Sequence, residues 1–141
     1  MAFTVTKIEV HAGDILNKPG SLARVLEALT NAGANLEFVI ARRITDNTSR
    51  VFVAPLKGKA ELKAASDVGL SRAAGMHAIR FEGPDRPGLG AWVTRNIASV
   101  GLNVRGLSTA CLKNRCVTYL GFETEVEATK ALKKLKASLA G

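Results

Sequence analysis

The chain contains the same pattern twice. Asn17-Lys18-Pro19-Gly20 is matched by Asp85-Arg86-Pro87-Gly88, 68 residues further on. In that register Ala23 meets Ala91, Val25 meets Val93, Leu29 meets Ile97, Gly33 meets Gly101 and Asn35 meets Asn103. A Pro-Gly pair, a helix-stopping glycine and a following asparagine recurring in one order mark two copies of a single supersecondary unit. The repeat divides the 141 residues into copies spanning 1–74 and 75–141.

Each copy reads strand, helix, strand, strand, helix. In the first, Ile8 and Val10 alternate with Lys7 and Glu9 as a half-buried strand. A polar loop, Gly13 to Lys18, leads to Pro19-Gly20. Leu22, Val25, Leu26 and Leu29 then recur at helical spacing until Gly33. Asn35 opens a strand with Leu36, Phe38 and Ile40 on one face, and Val51-Phe52-Val53 reads as a central strand. Lys57 to Ala65 suits a short helix, and a fourth strand is expected near Leu70–Ala73.

The second copy repeats this with Ile79 and Phe81, then Leu89, Val93, Ile97 and Val100, then a hairpin around Lys113-Asn114. Thr124 and Glu127 form a capping box for a helix carrying Ala128, Leu132, Leu135 and Leu139. It has no segment left for a fourth strand, so one sheet edge needs a cover. The fold class is therefore α+β: two ferredoxin-like βαββαβ repeats, with an antiparallel sheet, helices on one face and the last strand of the second repeat missing. We expect the sheet to run continuously through both repeats, and the uncovered edge to be closed by homodimerisation.

Twenty Lys and Arg oppose twelve Asp and Glu, a net charge of +8. Residues 1–70 carry +2 and residues 71–141 carry +6, with Lys130, Lys133, Lys134 and Lys136 close together. No aromatic residues are interleaved with these lysines, so a solvated helix face is favoured over a nucleic-acid surface. No stretch is long and apolar enough to span a membrane, and the first residues lack a secretory pattern. A soluble cytoplasmic protein is expected.

These residues carry a family resemblance. Asn17-x-Pro-Gly-Ser-Leu with Gly33-Ala34-Asn35, and Asp85-x-Pro-Gly-Leu with Gly101-Leu102-Asn103, each resemble the signature of an ACT domain. ACT domains are small regulatory modules that bind amino acids in metabolic enzymes. Without a catalytic domain, the chain resembles a stand-alone tandem ACT protein, which implies a small effector and, in trans, a partner enzyme. The resemblance places ligands between such a loop and the second strand of an adjacent unit. It points to Asn17, Gly20 and Asn35 in one copy and to Asp85, Gly88 and Asn103 in the other.

The chemistry of a helix start supports that placement. Backbone amides of Gly20, Ser21 and Leu22, and of Gly88 and Leu89, are offered to a carboxylate, while the Asn and Asp side chains are offered to an ammonium. The first copy is expected to hold the primary site, with Asn17 and Asn35 facing one cavity. Serine-binding ACT loops carry a histidine where this chain has Ile15 and Gly83, so an apolar amino acid suits Ile15 and Leu16 better. The other reading is a ligand-free module that docks on an enzyme or RNA through its basic second half.

Cys111 and Cys116 lie opposite each other across the expected two-residue turn. That spacing allows a cross-strand disulfide or half a metal site, but His11 and His77 fit no zinc spacing, so two free thiols are expected. Trp92 is expected in the core or at a subunit interface. No nucleophile triad, P-loop or dinucleotide fingerprint is present, so neither catalysis nor a cofactor is expected.

Overall fold

A computed structural model describes residues 3–140. Its elements, in chain order, are β1 (Thr4–Ile8), β2 (His11–Leu16), α1 (Ser21–Asn31), β3 (Phe38–Arg43), β4 (Thr48–Ala54), α2 (Gly58–Asp67), β5 (Ser71–Arg72), β6 (His77–Pro84), α3 (Leu89–Ser99), β7 (Gly106–Leu112), β8 (Arg115–Phe122) and α4 (Glu125–Ala140). The strands form two four-stranded antiparallel sheets, ordered β3-β4-β2-β5 and β1-β6-β8-β7. The single continuous sheet expected from the repeat is therefore replaced by two.

The fourth strand missing from the second repeat comes from the start of the chain. β1 pairs antiparallel with β6, Val5 opposite Phe81, in the place that β5 takes beside β2. The compact units are accordingly Glu9–Ala74, and residues up to Ile8 together with those from Gly75. We call these the first and second units. The units meet in sequence between Ala74 and Gly75, and the segment up to Ile8, expected in the first repeat, belongs with the second unit. The physical reason is the exposed edge of β6: an unpaired row of backbone donors and acceptors is satisfied by the nearest free extended segment.

Lys7–Val10 is not one strand. The alternation of Ile8 and Val10 spans a break, and Gly13–Leu16, expected as loop, is strand paired with Ser49–Val51 and Thr48. Gly13 is a glycine because its neighbour leaves no room: a Cβ there would collide with the carbonyl oxygen of Gly69.

Core positions follow the helical and strand periods. In the first unit Val25 and Leu29 of α1 and Ala65 of α2 pack with Val51 and Val53 of β4. In the second, Val93 and Ile97 of α3 and Ala128, Ala131 and Leu135 of α4 cover Ile79, Phe81, Leu120 and Phe122. Trp92 packs against this cluster, its ring 6.2 Å from Phe81, as a core-side residue. The capping box forms: Glu127 N–H donates to Thr124 Oγ1, and Thr124 N–H donates to Glu127 Oε1, both at 3.1 Å. Lys7 ties β1 to α4 through Glu125 at 3.0 Å and Thr129 at 2.7 Å. Among the described residues, no helix is long and apolar enough to cross a membrane.

Candidate functional site

Both β-strand-to-helix loops are built alike. Asn17 N–H donates to the Asn47 carbonyl at 2.8 Å, and Asp85 N–H donates to the Asn114 carbonyl at 2.8 Å. Each loop is thus pinned to the hairpin turn of its own sheet. Gly20 and Gly88 then take φ of +89° and +82°, where side chains are strained, and start α1 and α3. Their first requirement is this left-handed turn.

In the first unit the pinned loop borders a cavity of about 250 Å³. Asn17, Ser21 and Ser49 supply its polar groups, and Ile15, Leu16, Leu22 and Ala41 its apolar ones. Lys18, Arg42 and Arg43 supply three cations, and no ion pair among the described residues engages any of them. Arg50 is different: its guanidinium holds Asp14 in a two-point bond at 2.7 and 3.2 Å, which keeps the Asp14 carboxyl below the usual carboxylate range. The negative charge of Asp14 is thereby already matched by Arg50.

Asn17 donates its Nδ2 to the Asp46 carbonyl at 3.0 Å, which leaves Oδ1 as an acceptor. The amide of Ser21, expected to be free, donates to the Lys18 carbonyl at 3.3 Å. Those of Gly20 and Leu22 have no protein partner among the described residues.

Asn35 does not share this cavity. It is exposed beyond the C-terminus of α1, while Asn17 precedes the N-terminus, and eleven helical residues span about 16 Å between them. The strand that Asn35 was expected to open begins at Phe38 and runs back toward the loop, so its far end, Arg42 and Arg43, reaches the cavity instead. These arginines and Ser49 were missed. The signal was available: a strand following a helix returns to that helix's N-terminal end, and two adjacent arginines there have no acidic neighbour in sequence.

In the second unit the equivalent place is arranged differently. The pairs Ile15–Ser49 and Arg43–Ser49 of the first unit correspond to Gly83–Cys116 and Cys111–Cys116. The ring of Phe3 lies where a Cβ of Gly83 would stand and stacks on Phe81 at 5.1 Å. Arg86, the counterpart of Lys18, lies over the rings of Phe3 and Trp92, at 5.9 and 5.7 Å. Leu89 is buried in the core and its amide donates to the Arg86 carbonyl at 3.3 Å, so it offers a ligand neither side chain nor amide. Asn103 is exposed beyond the C-terminus of α3, as Asn35 is beyond that of α1.

Cys111 and Cys116 are joined as a disulfide, which corrects the expectation of two free thiols. The tight turn explains the pairing. Lys113 and Asn114 take φ of +53° and +66°, closing a two-residue hairpin whose next pair outward brings the two sulfurs to one face. Asp85 Oδ1 lies 3.2 Å from Cys116 Sγ.

No family model matches the chain, and no curated protein matches it in sequence. Solved structures do match it in fold. Protein BT0572 from Bacteroides thetaiotaomicron superposes with a TM-score of 0.79 at 16% identity, covering 94% of this chain and 90% of that one. The regulatory subunit of aspartate kinase from Thermus thermophilus, in a ligand-free form, gives a TM-score of 0.68 at 17% identity over 97% and 96%. E. coli aspartokinase III, solved with lysine and aspartate, gives 0.56 at 14% identity; the match covers 99% of this chain but 33% of that enzyme. The chain has the fold of two tandem ACT-like repeats, as the regulatory subunits of aspartate kinase do.

Proposed function

We propose that this chain is a non-catalytic regulatory protein that binds an amino acid in the cavity of the first unit. The observation that carries the reading is the group of three cations, Lys18, Arg42 and Arg43, without an ion pair among the described residues, around a cavity of mixed polar and apolar lining. A carboxylate belongs beside them, near the start of α1, where the helix dipole adds to their field. The ammonium has Asn17 Oδ1 and the hydroxyls of Ser21 and Ser49 as acceptors. An apolar side chain fits against Ile15, Leu16 and Leu22. In the second unit the equivalent position is taken by Phe3 and the disulfide, so the proposed site lies in the first unit alone.

The regulatory role is supported by the fold shared with subunits that serve an enzyme. We infer that this chain, too, acts in trans on a partner enzyme and pairs with a second copy of itself. β3 and β7 are sheet edges, with Val39 and Leu107 exposed on them, and offer strands to such partners. Sedimentation equilibrium at micromolar concentration should give a dimer; a monomer alone rejects that inference.

The binding reading is tested by thermal melting against each of the twenty amino acids, followed by calorimetric titration. A saturating effector raises the melting temperature by mass action. Apolar amino acids should do so. No response from any amino acid rejects the proposal and leaves the docking-module reading.

A further inference from the structure

We propose that Asp85, Cys111 and Cys116, once the disulfide is reduced, form a site for one thiophilic divalent cation of the zinc type. Their ligand atoms all lie within 4.8 Å of one another. Three separate constraints bring them there. The two-residue turn fixes the cysteines opposite each other on β7 and β8. The Asp85 amide is anchored to Asn114 of that same turn. The carboxylate then points at sulfur, with Oδ1 at 3.2 Å from Cys116 Sγ.

That carboxylate has no other side-chain partner among the described residues. Among the described residues it makes no ion pair, although Arg86 adjoins it in sequence, because the guanidinium is held over Phe3 and Trp92. A disulfide sulfur carries no proton, so in the oxidised protein Asp85 gains no hydrogen bond from Cys116. The fold does not require the arrangement either. At the same loop position in the first unit, Asn17 donates to the hairpin turn, and Arg43 and Ser49 replace the two sulfurs. Where the first unit gathers cations, the second gathers a carboxylate and two sulfurs that become thiols on reduction and thiolates on binding a metal.

The chemistry balances as follows. A dithiol reductant gives two electrons and two protons to the sulfur pair and closes to its own disulfide. The two thiols release their protons to solvent when the metal binds, so two thiolates and a carboxylate face the dication. Metal–sulfur bonds of about 2.3 Å and metal–oxygen bonds of about 2.0–2.2 Å place tetrahedral donors roughly 3.3–3.8 Å apart. The exposed Cys111 side chain can swing to open that separation, while the buried Cys116 stays in place. A fourth position remains for water or an external ligand. Disulfide and metal site exclude each other, and thiolate donors select a soft ion over magnesium or calcium.

The test is titration of the full chain with cobalt(II) as a spectroscopic stand-in for zinc, after reduction with a dithiol and its removal under anaerobic conditions. The reduced protein should bind one cobalt per chain, with a thiolate-to-cobalt charge-transfer band that zinc abolishes. The oxidised protein should show no band. Cys111→Ser should lose it, with Cys111→Ala as the second variant should the first not fold. Asp85→Asn should keep the circular dichroism of the wild type and weaken binding on the order of tenfold or more. Absence of the band in the reduced wild type overturns the proposal. So does undiminished affinity in Asp85→Asn, or one metal shared between two chains.

Discussion

At the loop that starts α1, three cations surround an open cavity; at the loop that starts α3, an aromatic ring, a disulfide and a carboxylate fill the same place. The backbone scaffolds are nearly interchangeable. Both loops pin their first residue to a hairpin turn at 2.8 Å, and both helices follow a glycine at positive φ. The difference lies in side chains at matched positions: Asn17 against Asp85, Lys18 against Arg86, Ile15 against Gly83, Arg43 against Cys111, Ser49 against Cys116. One scaffold therefore supports opposite electrostatics, because strand register decides which side chains converge there and leaves their chemistry free.

The largest expected effect comes from the strand just before these loops. Gly13 of the first unit matches Phe81 of the second: one position admits no Cβ, the other holds a large core ring. Gly13→Ala should cost about 1–3 kcal/mol, since the obstructing atom is a backbone carbonyl that cannot rotate away. A shift in the denaturation midpoint at constant slope would show it; no shift would mean that the α2–β5 turn yields.

Next is the contrast in binding. Arg43→Ala should lower affinity for the proposed amino-acid effector by about tenfold, about 1.4 kcal/mol, near the low end of what a charged hydrogen bond contributes. Cys111→Ala, at the matched position, should leave that affinity unchanged. Equal losses in calorimetric titration would mean that the two loops do not act separately.

A smaller effect tests which unit owns the first strand. Val5→Ala removes two buried methyl groups at roughly 0.8 kcal/mol each. Hydrogen exchange should quicken in β6 and β8 and stay unchanged in β2 and β4. Faster exchange in β2 instead would return the strand to the first repeat.

The smallest effect is one of pH. His11 is buried at the position that Ile79 takes in the second unit, and its Nδ1 has no hydrogen-bond partner among the described residues. Burial pushes its pKa below 6.5, opposed by Glu9 and assisted by Arg72. Well above pH 6.5 the imidazole is neutral in the folded and the unfolded chain alike. As the pH falls through that value the unfolded chain takes up the proton first, and stability declines. His11→Ile should remove that part of the acid-side slope in urea midpoints measured across the range, and an unchanged slope would assign it to other groups.

Much of this was legible in the residues. The capping box at Thr124, the turn at Lys113-Asn114 and the pairing of Cys111 with Cys116 are local, set by side chains within a few positions of one another. So are the apolar stripes of α1 and α3. Sheet membership was not legible. The segment containing Thr4–Ile8 has the same alternation whichever sheet it joins, and the preference for β6 exists only once β6 has an unpaired edge. The cavity was half legible: Asn17, Ser21 and Leu22 were expected there, and Arg42, Arg43 and Ser49 required knowing where β3 ends. The placement of the two sulfurs was legible, but their joining as a disulfide was not, since the spacing allowed both sulfur states.

The sequence by itself determined two copies of one unit, their helix starts and stops, and the glycines that turn each loop into its helix. These follow from steric and hydrogen-bonding rules that act over a few residues. Tertiary structure alone decided that the first strand completes the second sheet, that Arg42 and Arg43 rather than Asn35 face Asn17, and that Asp85 meets two sulfurs. Those outcomes depend on strand order and register, which are fixed when distant backbone groups must find partners and apolar faces must be covered together.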